Sequence, residues 1–319
     1  MLKRALVVIA TLSISMANTA IAETRVTYKS AKSTTSYYQM AVQVAEGVKY
    51  ASNSNMILTV EESQGSVQNV KEAGKNRANY VFTTPPSLIV KARDGVKPFK
   101  KGKHTYQDIR ALYPIPSLVM HWVVREDSKI AKFQELDGKD FIVGRGNFSA
   151  RQTIELFKVL GLEGKVNAID VEVSGAVSAL KNRQVQGFAT SSSFPAPNVL
   201  EAASSTPIQL LSLSEEDYGK VKGTPITIPA GTYPGVDTDT QTISLPVGAY
   251  TMKSLDEETA YQLTKAFWDA KKRMAKVAPW WGSVTVDLLG ELAGPLHPGA
   301  IRYYKEEGIT LPAHLVAVQ

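Results

Sequence analysis

Five short runs of hydroxyl and amide side chains punctuate this 319-residue chain: Lys-Ser-Thr-Thr-Ser at 32–36, Ser-Gln-Gly-Ser at 63–66, Thr-Thr at 83–84, Arg-Gly-Asn-Phe-Ser at 145–149 and Thr-Ser-Ser-Ser at 190–193. Such groups give directional hydrogen bonds with little net charge, which suits an anion that must be held and then released. The candidate ligand contacts in these runs are Ser36, Gln64, Ser66, Thr83, Thr84, Asn147, Ser149, Thr190, Ser191, Ser192 and Ser193. Arg145 adds a planar guanidinium that can take a carboxylate through two hydrogen bonds, and Arg151 offers the same fork nearby. Tyr37, Phe148, Phe194 and Tyr233 lie close enough in sequence, or in a suitable turn, to close a site. Ser and Thr are also the preferred N-caps of any helix, so one run alone signals capping rather than binding. The argument rests on five runs at equivalent places.

Other chemistries lack their residues. There is no cysteine, which excludes thiolate chemistry and disulfides, and the four histidines are far apart. No His pair stands at i, i+4, no G-x-S-x-G elbow occurs, and no Walker loop occurs. Gly144-Arg-Gly146 begins like a dinucleotide fingerprint, but Ser149 occupies the place of its third glycine. Asp237, Asp239 and Asp256 stand in polar surroundings without an evident catalytic partner. No metal, no cofactor and no catalysis are expected. The net charge of +6 is mild and the lysines are scattered, the densest group being Lys97, Lys100, Lys101 and Lys103. This is a solvated loop rather than the basic, aromatic-interleaved stripe of a nucleic-acid surface.

The runs need elements to carry them. The chain opens on a basic head, an apolar stretch at 5–15 and a small-x-small site at 20–22, the order of a cleaved secretory signal. The apolar stretch is shorter than the roughly 20 residues needed to span a bilayer. Cleavage after Ala22 and release into the periplasm are expected, with Lys3 and Arg4 leaving in the signal. Strand patterns at 24–28, 56–60 and 80–83 alternate with helical ones that start near residues 37, 67 and 86. Met40, Val44 and Val48 give the first helix one apolar face. The alternation resumes with strands at 140–143, 171–173, 187–190 and 208–213, and helices from Ser149 as N-cap and across 175–181. In the first of these helices Ile154, Phe157 and Leu160 are expected to face inward. Each polar run falls where a strand ends and a helix begins, the ligand edge of an open α/β sheet. Helix N-termini there add N–H groups and the positive end of the helix dipole. Apolar segments at 118–124 and 242–252 flank the second block and read as strands crossing between lobes. The expectation is an α/β, two-lobed, type II-like periplasmic-binding-protein clamp with two crossing hinge strands. Domain 1 would hold 23–120 plus 248–319, and domain 2, inserted, 121–247, with the ligand in the cleft. A helix at 256–274 returns to the first domain, and Trp280-Trp281 reads as a packing element.

Several blocks resemble one family. Thr35-Ser-Tyr-Tyr38, Glu62-Ser-Gln-Gly-Ser-Val-Gln-Asn69, Leu112-Tyr-Pro114, Val123-Val-Arg-Glu-Asp-Ser128 and Leu136-Asp-Gly-Lys139 are similar to segments of the TAXI family of TRAP-transporter solute receptors. Ile228-Pro-Ala-Gly-Thr-Tyr-Pro-Gly235 and Pro295-Leu-His-Pro-Gly-Ala300 are the longest and most specific. The resemblance implies a clamp without catalytic activity. It would capture a small organic anion (a dicarboxylate, a hydroxy or oxo acid, or a glutamate-like acid) and pass it to the TRAP membrane subunits. It places ligand loops at Ser36 and Tyr37, Ser66, Thr83 and Thr84, residues 144–149 and residues 190–194. The chain departs from the pattern in those loops: Thr34 and Thr35, Gln64, Arg145 and Phe148, and Ser192 and Ser193 stand where glycines or small residues are usual. Glycine lets a backbone approach a ligand closely, so these substitutions alter the pocket and put glutamate in doubt. A monomer is expected, without nucleic-acid partners. An ABC-type binding protein, a ligand-sensing periplasmic protein and a secreted enzyme on the same scaffold are the competing readings.

Overall fold

The computed structural model describes residues 23–75, 77–99, 104–145 and 148–316. The expected signal at 1–22 and the candidate contact Asn147 lie outside these residues. A first α/β run comprises β1 Thr24–Lys29, α1 Ser36–Ala51, β2 Met56–Glu61, α2 Ser66–Ala73, β3 Tyr80–Thr84 and α3 Pro86–Arg93. The long strand β4, Ile109–Arg125, leads into a second run: β5 Asp140–Ile142, α4 Phe148–Val159, β6 Asn167–Ile169, α5 Ala176–Lys181, β7 Gly187–Ser192, α6 Pro197–Ser205 and β8 Ile208–Leu210. The short helix α7 Glu215–Tyr218 and β9 Thr224–Ile228 precede the second long strand, β10 Thr240–Met252. Helices α8 Glu257–Val277, α9 Pro298–Glu306 and α10 Ala313–Val316 follow.

β1 pairs in parallel with β2 and β3, and β5 in parallel with β6 and β7. Between these flanks β10 runs antiparallel to β3 and β4, and β4 antiparallel to β7. The order is β2-β1-β3-β10-β4-β7-β5-β6, with β8 on β4 and β9 on β10. The sheet is therefore parallel within each α/β flank and antiparallel through the two long strands that join them, where the alternation alone reads as largely parallel. One end of β10 pairs with β3 and the other with β9. This is the crossing behaviour expected of 242–252.

Amphipathic periodicity builds the packing. Met40, Val44 and Val48 of α1 are buried, as are Leu263, Phe267, Ala270 and Met274 of α8. The two helices meet closely at Gly47, where an added Cβ would lie 2.8 Å from Ala270 Cβ. Tyr113 of β4 stacks on Phe267 with ring centroids 3.8 Å apart. Trp281 is fully buried and donates to Gln43 Oε1 at 2.6 Å, which makes it the packing element expected. Along β4 the strand period of two sorts side chains between two cores. Met120, Trp122 and Val124 join the main cluster, whereas Val119 and Val123 join a second one with α5 and α6.

Several boundaries differ from expectation. The strand placed at 171–173 lies at Asn167–Ile169, pairing with β5, while Val173–Gly175 forms a 3-10 turn. β6 is a short, mostly exposed edge, so the apolar Val171 and Val173 gave the stronger signal although they pack under α5 and α6. β8 ends at Leu210 rather than 213. α4 begins at Phe148, so Ser149 lies inside its first turn and is not its N-cap. Phe157 faces inward, but Ile154 is 44% exposed. Thr153 takes the inner place, its hydroxyl accepting from Trp122 Nε1 at 3.1 Å.

Candidate functional site

The carboxyl ends of β1, β2 and β3 and those of β5, β6 and β7 face a common cavity of about 80 Å³. From the first flank it is lined by Ser30, Lys32, Thr34, Thr35, Tyr37, Gln64, Gly65, Ser66 and Thr83. From the second come Arg145, Phe148, Ser149, Glu172, Ser174, Thr190 and Ser191, while Leu118 of β4 and Val247 of β10 add apolar surface.

Buried hydrogen bonds fix the loops of the first flank. Asn69 of α2 donates through Nδ2 to the carbonyls of Ser30 and Thr83 at 2.7 and 3.0 Å, tying the ends of β1 and β3 together. Ser63 Oγ donates to Ser30 O at 2.8 Å and accepts from Gly65 N–H at 2.9 Å. Gly65 has φ 107°, a conformation that L side chains resist, and this turn starts α2 at Ser66. Ser33 donates through N and Oγ to Glu62 Oε1, and these bonds hold that carboxyl below its usual range.

Helix starts are deployed unusually. Neither Thr35 before α1 nor Gly65 before α2 caps its helix through a side chain. Thr35 Oγ1 donates instead to Lys32 O at 2.7 Å. The starts of α1, α2 and α4 all border the cavity, so three helix dipoles present their positive ends there. Lys32 and Arg145 add formal positive charge, and among the described residues Glu172 is the one carboxylate lining the cavity.

The flanks are bonded across this cavity. The Gln64 amide is oriented by its partners, nitrogen toward a carboxylate and oxygen toward an ammonium. It donates to Glu172 Oε2 and Oε1 at 2.7 and 3.1 Å and accepts from Lys32 Nζ at 3.0 Å. Ser36 Oγ and Ser192 Oγ share a short hydrogen bond. Tyr37 OH donates to Pro116 O at 2.5 Å, and burial pushes its pKa well up. Ser193 Oγ donates to Ser117 O at 2.9 Å. Thr190 Oγ1 accepts from Asn198 Nδ2 at 3.1 Å.

The sequence-predicted contacts therefore divide. Tyr37, Gln64, Ser66, Thr83, Arg145, Phe148, Ser149, Thr190 and Ser191 line the cavity. Ser36, Ser192 and Ser193 do not, because their hydroxyls are spent on cross-flank and strand carbonyl bonds. Thr84 lies outside the lining, buried at the end of β3. Phe194 packs into the apolar cluster beside α5 and α6. Tyr233 is fully buried elsewhere, accepting from Ala196 N–H at 2.8 Å and donating to His121 Nε2 at 2.8 Å. Its turn was correctly sensed, but an aromatic in a turn has no sequence mark for the side it faces. Arg145 reaches the cavity, but its Nε and Nη2 donate to Asp170 O at 3.1 and 3.0 Å. Arg151 lines a different cavity. Lys32 and Glu172 also line the cavity but were not singled out from the sequence. Lys32 heads the first polar run, which was its available signal; Glu172 fell in the misplaced strand. Among the described residues no group of three metal-ligating side chains converges, and no helix is long and apolar enough to cross a membrane.

The sequence model of the NMT1-like family matches residues 29–308. The fold is similar to that of the periplasmic binding protein BugD, with TM-score 0.57 and 12% identity over 91% of this chain and 99% of that one. It is also similar to MatC from Rhodopseudomonas palustris, a structure with bound malate, with TM-score 0.53 and 12% identity over 81% and 89% of the two chains. A protein from Bordetella bronchiseptica gives TM-score 0.53 and 15% identity over 93% and 86%. At these identities the likeness establishes the fold, the two-lobed clamp of periplasmic binding proteins.

Proposed function

This chain belongs to the NMT1-like family, and from that premise we propose that it is a periplasmic receptor that takes a small organic anion into its cleft and presents it to a membrane transporter. One observation carries the reading: three helix N-termini, Lys32 and Arg145 converge on one cavity whose two walls are bonded to each other across it. Such a site suits negative charge. Among the described residues its lining includes no histidine, and Thr190 is hydrogen-bonded to an amide rather than to a base. We assign the lobes to 23–120 plus 248–319 and to 121–247, with secretion by a signal ending at Ala22. The motifs at 228–235 and 295–300 favour a TAXI-type TRAP system over an ABC system as the destination. A four-carbon diacid suits a cavity of this size, and the malate held by MatC makes malate the first acid to try.

The test is a thermal-shift screen of the chain from Glu23 against malate, other dicarboxylates, hydroxy and oxo acids and glutamate. A ligand specific to the folded state adds about 2.7 kcal/mol at 100 times its Kd, a readily measured rise in Tm. The reading predicts such a rise for one chemical class, or an organic acid released on denaturation and detected by mass spectrometry. Neither a shift nor a released acid, or turnover of any acid, would contradict it.

A further inference from the structure

A second cavity, of about 280 Å³, shares no lining residue with the cleft. Buried Trp122 of β4 and Ile243 of β10 contribute its apolar surface. Four cations surround it: Lys91 from the last turn of α3, Arg151 from the first turns of α4, and Lys220 and Lys222 from the turn before β9. Among the described residues Glu155 is the one carboxylate in the lining.

The cations are poorly matched. Lys220 is paired with Glu216 at 2.6 Å. Lys91, Arg151 and Lys222 have no carboxylate within 4 Å among the described residues. Arg151 Nε is buried and donates to nothing. Burial also pushes the pKa of that guanidinium down, as expected of a charge withdrawn from water without a partner. A buried donor with no protein acceptor is rare in folded proteins, and a bound ion is one of the ordinary partners of such a group. Like charges brought together around a cavity also repel unless an anion lies between them. An oxyanion would accept from the Arg151 fork and neutralise the surrounding lysines at once.

We propose that this cavity is a second binding site, separate from the cleft, for a small oxyanion of the phosphate class, with Arg151 as its principal donor. The inference does not depend on what the cleft binds.

Calorimetric titration with inorganic phosphate and with pyrophosphate tests it, at an ionic strength held constant with chloride. The chains compared are wild type, Arg151→Gln, Lys222→Ala and the cleft variant Lys32→Ala. The expected result is one oxyanion per chain, weakened at least tenfold by Arg151→Gln, several-fold by Lys222→Ala, and unchanged by Lys32→Ala. Lys222 is exposed, so its variant carries the test if Arg151→Gln fails to fold. No binding of either oxyanion beyond the chloride control would overturn the proposal. So would binding lost in Lys32→Ala but kept in Arg151→Gln and Lys222→Ala.

Discussion

Asn198 donates its amide to Thr190 Oγ1, so the hydroxyl hydrogen of Thr190 is left to donate to whatever occupies the cleft. Thr190→Val keeps the shape and removes that donor, whereas Thr190→Ser keeps it. Loss of a hydrogen bond to a charged group costs about 1.5–3 kcal/mol, so the Val variant should bind the cleft anion at least tenfold more weakly and the Ser variant nearly normally, by calorimetry. Equal affinity in all three would remove Thr190 from the site. His121 does not line the cavity. Its Nδ1–H donates to Val119 O at 3.0 Å and its Nε2 accepts from Tyr233 OH, so the ring is held neutral. Burial lowers its pKa from 6.5 to about 4. Because the folded value lies below the unfolded one, the neutral ring's contribution is complete above pH 6.5 and is lost as pH falls toward 4. At about 1.4 kcal/mol per unit, roughly 3 kcal/mol is at stake. Urea unfolding at pH 7.5 and 4.5 should show this loss in wild type and a smaller one in His121→Gln; equal losses would assign the acid sensitivity elsewhere. The places of Ser66, Thr83 and Thr190 in the cavity lining were legible because residue type and position at a strand-to-helix junction pointed the same way. The places of Phe194 and Tyr233 were not: Phe194 packs on the second apolar cluster, and Tyr233 is bonded to His121 and Ala196, both far off in sequence.

Helices with one dominant period had starts readable within a residue: α1 from its Met40, Val44 and Val48 stripe, and α8 from Asp256, whose carboxylate caps it by accepting from Thr259 N–H at 2.8 Å, although α8 runs three residues past the expected end at 274. The first half of β4 was not readable. Pro114 and Pro116 interrupt the strand pattern, because proline offers no N–H to a ladder. They are accommodated where β4 and β10 pair irregularly, with register shifts between Leu245 and Val247 and between Ala249 and Tyr250. Pro246 stands inside the first of these shifts. The crossing region thus has a weakened ladder, a natural place for bending between lobes. β7 is held more tightly. A Cβ on Gly187 would lie 2.4 Å from Val123 O and 2.6 Å from Phe141 Cε2, so β4 and β5 would both have to give way. Gly187→Ala should cost about 1–3 kcal/mol, as overpacking does, seen as a lower urea midpoint; an unchanged midpoint would mean that the strands separate freely.

For the molecule as a whole, the order of strands and helices together with the family resemblance anticipated an α/β clamp, while the mixed sheet direction emerged only from how β4 and β10 thread both flanks. The described conformation is closed by contacts of its own, Gln64 to Glu172 and Ser36 to Ser192. The proposed receptor role requires the cleft to open for solute, so on that reading these bonds break and re-form readily. Glu172→Ala removes the amide's partner on the far wall. Small-angle X-ray scattering should show a larger radius of gyration for the ligand-free variant than for ligand-free wild type, and the same radius for both with ligand bound. No difference without ligand would mean that Gln64–Glu172 does not hold the cleft.

The most direct test of the central claim is calorimetric titration of the chain from Glu23 with malate and related acids, alongside Lys32→Ala and Thr190→Val. The account predicts one organic anion per chain, with its affinity reduced at least tenfold in either variant and no turnover. Tight binding that neither variant changes would place the solute outside this cleft and contradict it.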